Sequence, residues 1–253
     1  MEKAKKIIKI FLSVTSLITL ISCNGEEKWD CFSSAKKIDS VYVSWSTFDS
    51  VYLKGRVSVR FVQTSDSNGI KIVAAQDLLN NVHYHQKGRT LYIEEKSKCN
   101  WVRNLHYYPV VWVYFTSHNF YVRPDNYKDN FFVKPFHGKK LAIDYWVGRG
   151  TTYVRGEADS MYFWVNAGGG SFVVQGKAQL MYVYHNGNSK LFFKQLAVDT
   201  LFVDQRSNND IFVKVNKVFT VSIHYVGNVF YVGMPSSLLL KKSGKGELIH
   251  VDE

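Results

Sequence analysis

The sequence predicts an all-β fold: a right-handed, single-stranded parallel β-helix, or solenoid, with rungs of ~20 residues. Three observations carry this expectation. Apolar pairs recur in near-constant phase at Val51/Leu53, Ile70/Ile72, Leu91/Ile93, Val111/Val113, Phe131/Val133, Leu191/Phe193 and Ile211/Val213. A second column runs between them at Leu141/Ile143, Met161/Phe163, Met181/Val183, Leu201/Val203 and Val221/Ile223. Throughout, β-branched and aromatic runs alternate with Gly, Asn, Asp and Ser, and the chain holds only four prolines. Two alternating segments per period build stacked rungs, and strands at ~10-residue spacing leave no room for the helices of an α/β fold.

The chain opens with Lys3, Lys5, Lys6 and Lys9, continues with an apolar run from Ile10 to Ile21, and reaches Leu20-Ile21-Ser22-Cys23. That run is shorter than a membrane span of ~20 residues. A small residue immediately before a cysteine has the form of a lipobox. Residues 1–22 are therefore expected to be a cleaved lipoprotein signal peptide, with Cys23 as the lipid-attachment site. Acyl chains contributing ~0.8 kcal/mol per CH₂ would hold the protein to a membrane without a helix. Glu26 and Glu27, close behind the cysteine, resemble the surface-export signal of Bacteroidetes lipoproteins.

Residues 23–45 read as a lipidated tether ending in a lead-in strand from Ile38 to Trp45, and residues 46–250 as the solenoid. Cys31 and Cys99 remain as a candidate disulfide, which an oxidising envelope permits and which spacing alone leaves open. With no Cys/His partners at ligand spacing, no metal site is expected.

Loss of residues 1–22, with four lysines and one glutamate, leaves 28 basic and 20 acidic residues. The excess is scattered, as at Lys36-Lys37, Lys139-Lys140 and Lys241-Lys242, so no nucleic-acid patch is expected. A basic envelope protein would sooner meet lipid head groups or acidic polysaccharide, or simply keep itself soluble.

The period is most regular from Leu141 onward, where Leu141, Met161, Met181, Leu201 and Val221 open successive rungs without insertion. Before that, the phase slips by one or two residues. Tyr121-Val122-Arg123-Pro124 makes a poor strand, Ala74 to Val82 has room for a short helical turn, and residues 48–100 leave a separate β-sheet cap open. Lys194 and Lys214 must face water, so Phe192 and Phe212 share their outward face while Leu191, Phe193, Ile211 and Val213 fill the core. In the other column Asp204 and His224 put Phe202 and Ser222 outside.

Each rung then buries about four large apolar side chains, at ~1.5–3 kcal/mol each. The consequence is two exterior aromatic ladders. One comprises Phe132, Phe172, Phe192, Phe212 and Phe230. The other comprises Tyr162, Tyr182 and Phe202, with Trp164, Tyr184 and Trp146 beside it. Exposed rows of this length mark a contact surface; self-supporting stacking, or cover by a second subunit, is the competing use.

The chain resembles the Bacteroidetes "putative auto-transporter adhesin, head GIN" family of exported β-helical lipoproteins. The resemblance rests on Phe48-Asp49-Ser50-Val51-Tyr52-Leu53-Lys54-Gly55, Val57-Ser58-Val59-Arg60-Phe61-Val62-Gln63, Asp77-Leu78-Leu79 and Gly88-Arg89-Thr90-Leu91-Tyr92-Ile93. Tyr231-Val232-Gly233-Met234-Pro235 and Ser243-Gly244-Lys245-Gly246 complete it, so that it spans roughly residues 46–250. The family's small-Gly-small-Gly turn is approached only at Asn166-Ala167-Gly168-Gly169-Gly170. The resemblance implies adhesion and carries over no active site.

A solenoid can also host polysaccharide-cleaving chemistry. Asp144 and Asp204 stand at equivalent exterior positions three rungs apart, ~14 Å by rung spacing, beyond the ~5–9.5 Å of a glycosidase pair. Asp159, Asp199 and Asp210 read as turn residues. His83 and His85 share a strand face without an evident third ligand; His185 and His224 suggest no site.

The expected function is therefore non-catalytic binding or adhesion, to glycan or protein, by an outer-membrane lipoprotein that is surface-exposed. Its candidate ligand surface is Trp164, Tyr184, Phe192, Phe212, Lys194 and Lys214, with no cofactor and no catalytic residue, and self-association through the aromatic rows left open. The alternatives are a structural envelope component and, third, a carbohydrate-active enzyme.

Overall fold

A computed structural model of the chain describes residues 37–97 and 108–252. The expected signal peptide, Cys23, Cys31 and Cys99 lie outside the described residues. Strands make up 67% of the structure, and stacked parallel strands form a β-solenoid of about 7 turns.

Near the start of the stack lie β2 (Ser50–Gly55) and β3 (Ser58–Gln63), each between two parallel neighbours. Parallel to β2 lie β6 (Thr90–Glu95) on one side and β8 (Asn119–Asn126) on the other. Parallel to β3 lie β7 (Val110–Phe115) and β9 (Asn130–Phe132). From β8 and β9 the ladder passes to β10 (Phe136–Tyr145) and β11 (Thr151–Val165), then to β12 (Ser171–His185), β13 (Lys190–Gln205) and β14 (Ile211–Ile223). It closes on β15 (Val229–Val232), β16 (Ser237–Lys242) and β17 (Leu248–His250).

Within the stretch 48–100, the described residues 48–97 are thus no separate cap, because β2 and β3 bond directly to solenoid strands. The irregularity of this half is confined to antiparallel pairings. They join β1 (Ile38–Ser44) to β4 (Gly69–Ala75), β4 to β7, and β5 (Val82–Lys87) to β6. The short helix α1 (Gln76–Leu79) occupies the place expected for a helical turn. The stretch judged a poor strand belongs to β8. Its ladder to β10 stops at Val122, so Pro124 withholds no N–H from that neighbour.

Each long strand covers two faces of its rung. In β11, Thr152, Val154, Gly156 and Ala158 alternate inward; Asp159 and Ser160 then both stand off the core, and Met161 resumes the inward row. Two successive outward residues make one corner. Glycine makes the other: Phe136, Gly156 and Gly176 stack in register, and Gly176 adopts φ +127. A Cβ at Gly176 would lie 1.8 Å from the Gly156 carbonyl oxygen.

A rung therefore has a first face (residues 151–155 in β11), a short second face (157–160) and a third face (161–165). Phe163 on the third face meets Phe172 and Phe193 of the first across the interior, with ring centroids 6.2 and 4.8 Å apart. The exteriors of these two faces consequently point away from each other. The second face was invisible in the apolar periodicity because in β11 and β12 its inward residues are small and alternate with charged or polar ones, as in Glu157-Ala158-Asp159. It raises the core of one rung from the expected four side chains to six: Leu191, Phe193, Leu196, Val198, Leu201 and Val203.

The period is less constant than expected. Leu141, Met161, Met181 and Leu201 align at the expected interval. Leu201 then aligns with Phe219, which falls short of the expected Val221, and Val221 lies against Val203 instead. Phe172 aligns with Leu191, one position short of the period, whereas Asn130 aligns with Thr152, beyond it. Because side chains alternate with period 2, an odd interval inverts which residue of a pair faces in. That is why Phe132 and Phe172, expected outside, are buried at 6% and 0% exposure. Phe131 and Val173 take the exterior positions, and Val133, expected in the core, is 46% exposed.

Polar groups line one inner corner. Tyr145, Val165, His185, Gln205 and Ile223 form one register row. The Tyr145 hydroxyl accepts the Gly170 N–H at 2.8 Å. His185 is fully buried, with Nδ1 3.0 Å from Gln205 Oε1 and Nε2 3.0 Å from the Ser189 carbonyl oxygen. Burial outweighs these two acceptors and pushes the imidazole pKa down to about 4.

Two outcomes are expected. Gly176→Ala should cost more than about 2 kcal/mol in denaturant unfolding, because strain and a backbone clash coincide. Gly88→Ala, whose Cβ would meet nothing within 4 Å, should cost only about 1 kcal/mol. For His185, the unfolded chain binds a proton below its ordinary pKa near 6.5 that the folded chain refuses until about 4. Its contribution is whole above that upper value and falls as pH drops through the window, by roughly 3 kcal/mol in all. His185→Gln should flatten this part of the stability–pH profile, and an unchanged slope would refute the assignment.

Candidate functional site

Parallel strands hold register partners ~4.8 Å apart, so similar side chains at equivalent positions become ladders. On the first face the exterior row runs through Arg60, Phe131, Tyr153, Val173, Phe192, Phe212 and Phe230. Phe131 and Tyr153 stack at 4.8 Å and 12°. Phe192, Phe212 and Phe230 stack at 6.1 and 4.9 Å. Val173 separates the two stacks, and Phe192 is 42% exposed. Phe192 and Phe212 are thus adjacent and outward, as the sequence predicts. Lys194 and Lys214 are not register partners: they follow the pair Phe193 and Val213, but the register then shifts and Lys214 aligns with Ala197.

On the third face Asp144, Trp164, Tyr184 and Asp204 align in one exterior row. Trp164 stacks on Tyr162 at 5.4 Å and 18°, and Lys140 Nζ lies 5.0 Å from the Tyr162 ring centroid. The two aspartates are three rungs apart, as the sequence predicts, and each is engaged locally. Asp144 accepts the Tyr121 hydroxyl at 2.7 Å and Asn166 Nδ2 at 2.8 Å. Burial and that bond raise the Tyr121 phenol above its usual range. Asp204 takes two bonds from Arg206, at 2.9 and 3.1 Å. The guanidinium lies 5.7 Å from the Tyr184 ring centroid. Trp164 and Tyr184 therefore present a different surface from Phe192 and Phe212, and the six predicted residues do not form one site.

The second face carries a groove of about 460 Å³. Asp159 and Asp199, expected in turns, stand here within β11 and β13. Asp210 does occupy a turn, where Oδ1 accepts the Asn228 N–H at 2.7 Å. Lys177 lies 3.9 Å from Glu157. Bonds from Lys217 Nζ at 2.7 Å and Asn216 Nδ2 at 3.2 Å hold Asp199 below the usual carboxylate range. Elsewhere, His85 stacks on Tyr92 at 4.8 Å, and no group of three metal-ligating side chains occurs among the described residues.

A cleft of about 340 Å³ opens beside the first-face row, with Arg60, Phe131, Tyr153 and Arg155 in its lining. Sequence reasoning missed it. The signal was present in Tyr153-Val154-Arg155, where a buried valine places Tyr and Arg together outside. The one-residue inversion of Phe131 and Phe132 concealed their partner.

The fold has counterparts among solved structures. A putative adhesin from Bacteroides fragilis is similar with TM-score 0.74 and 16% identity, covering 85% of this chain and 98% of that one. A putative adhesin from Parabacteroides distasonis gives 0.63 and 17%, covering 85% and 97%. A protein from the same species described as a putative lipid binding protein gives 0.62 and 16%, covering 85% and 96%. At these identities the likeness is one of fold. Comparison with curated proteins finds no match. Residues 47–235, nearly the whole described solenoid, match one family as a continuous block. The chain belongs to the family described as putative auto-transporter adhesin, head GIN domain.

Proposed function

We propose that this protein is a non-catalytic binding protein of the cell envelope, anchored by acyl chains at Cys23 and presenting its solenoid as an adhesive surface. The observation that carries the reading is the first-face aromatic row. Six of its positions from Phe131 to Phe230 carry large, mostly apolar side chains on the outward face, four of them partly exposed and Tyr153 and Phe192 exposed. Burying such rings in a contact stabilises it by ~25 cal/mol per Å² removed from water. Because rigid strands carry the rings, little conformational entropy is lost when a partner docks. The adhesin-like family and its Bacteroidetes structural counterparts support a place at the envelope or cell surface. The third-face pair Trp164 and Tyr184 offers a second, smaller stacking surface.

Protease shaving of intact cells, read by mass spectrometry, tests the placement. Solenoid peptides should be released without lysis, and the N-terminal peptide should begin at an acylated Cys23. Complete protection would sink surface adhesion and favour a structural component facing the periplasm. The surface itself is tested by retention on a glycan panel. Phe212→Ser should lower retention at least tenfold with Tm unchanged if the first face is the contact, and Trp164→Ala should do so if the third face is. Full retention by both variants would eliminate the aromatic rows as the adhesive surface.

A further inference from the structure

We propose that the first-face cleft binds a carboxylate-bearing pyranose chain, that is, a uronate-containing polysaccharide. This rests on the binding reading above and adds its ligand class.

Arg60 is the centre of the argument. Its guanidinium carbon lies 3.9 Å from the Phe131 ring centroid, and Nη1 donates to Ser58 Oγ at 2.9 Å. No described carboxylate forms an ion pair with it. Asp129 attracts it only through space, and Asp129 Oδ1 is occupied by the Thr151 N–H at 2.8 Å. A guanidinium drawn partly out of water without a counter-ion is costly, and a ligand anion would offset that cost. Burial also lowers the Arg60 pKa from its ordinary value. At the same corner, ahead of β9, burial and then the Arg56 charge lower the Lys128 pKa, against the pull of Asp129.

The remaining walls specify a sugar rather than a small anion. Phe131 and Tyr153 stack on each other and Arg60 lies over the remaining face of Phe131, so the cleft presents their ring edges as an apolar wall two rungs tall, against which the C–H groups of a pyranose chain can pack beside the guanidinium. Arg155 stands two residues beyond Tyr153 on the neighbouring exterior row, and Gln175 aligns with it one rung further on. By rung spacing and strand rise, Arg60 and Arg155 lie roughly 12 Å apart. Two planar forks at that separation match two carboxylates on one chain better than a single phosphate. Pyranose rings also repeat at the ~5 Å interval of the rungs. The cleft lies within the ~300–1,000 Å³ of ordinary ligand sites.

The test is calorimetric titration of the whole protein with hexagalacturonate and with its methyl ester, which keeps the rings and removes the charge. Work at about 0.3 M NaCl screens the non-specific attraction between a basic protein and any polyanion. The acid should bind at least about tenfold more tightly than the ester. Arg155→Gln, at an exposed position with no packing role, and Arg60→Lys, which keeps the charge but not the fork, should each weaken the acid about tenfold. Lys245→Gln, at the far end of the stack, should leave it unchanged.

Equal affinity for acid and ester would overturn the uronate assignment while leaving aromatic glycan binding in place. So would an equal loss in Lys245→Gln. Binding of neither oligomer would also overturn it, and the shaving and panel experiments would then judge the broader reading independently.

Discussion

Inter-rung hydrogen bonding is the constraint on which everything else depends. A parallel ladder holds each residue one strand spacing from its register partner, so the chain cannot choose a core or a surface residue by residue. It chooses columns. Phe163, Phe172 and Phe193 meet in the interior because their columns do. Phe192, Phe212 and Phe230 stack outside for the same reason. Rung length is free to vary: the step from Asn130 to Thr152 is longer than the mean period, and the step from Leu201 to Phe219 is shorter, with register shifts after Phe193 and after Val198 absorbing the difference inside the strands.

The corners bear the cost of that regularity. Where the chain turns, backbone groups lose their ladder partners and buried side chains replace them. Asn126 and Asn130 exchange reciprocal amide bonds at 2.9 Å, and Asn126 Nδ2 also reaches the Val57 carbonyl oxygen at 2.6 Å. Asp125, almost fully buried, accepts the N–H groups of Trp146 and Val147 at 2.8 and 3.1 Å while Arg123 neutralises it at 2.7 Å. His185 and Gln205 do the same work farther down the stack. Each of these buried polar residues therefore has a structural use that accounts for its position, and none needs a catalytic one.

The three faces differ in what they offer. The second is narrow and carries both signs of charge, with Glu157 facing Lys177 and Asp199 bonded by Lys217. The third pairs its aspartates with Tyr121, Asn166 and Arg206. Only the first combines bare aromatic rings with a half-buried arginine that has no carboxylate partner among the described residues. Mounted on strands, that surface is preorganised, which suits binding at little entropic cost.

Local patterning by itself determined the all-β class, the solenoid, the inward columns from Leu141 to Leu201 and the outward placement of Phe192, Phe212, Trp164 and Tyr184. Alternation is a local property, set by strand geometry and by lysines that must reach water. The tertiary structure alone decided the register between rungs, and with it the inversion of Phe131 and Phe132 and of Phe172 and Val173. It alone revealed the second face, the opposition of the first and third faces, and the meeting of Arg60 with Phe131, which are far apart in the chain but lie on adjacent rungs. Turn lengths vary without any hydrophobic signal, and a single residue gained or lost in a turn exchanges the inside of a strand for its outside.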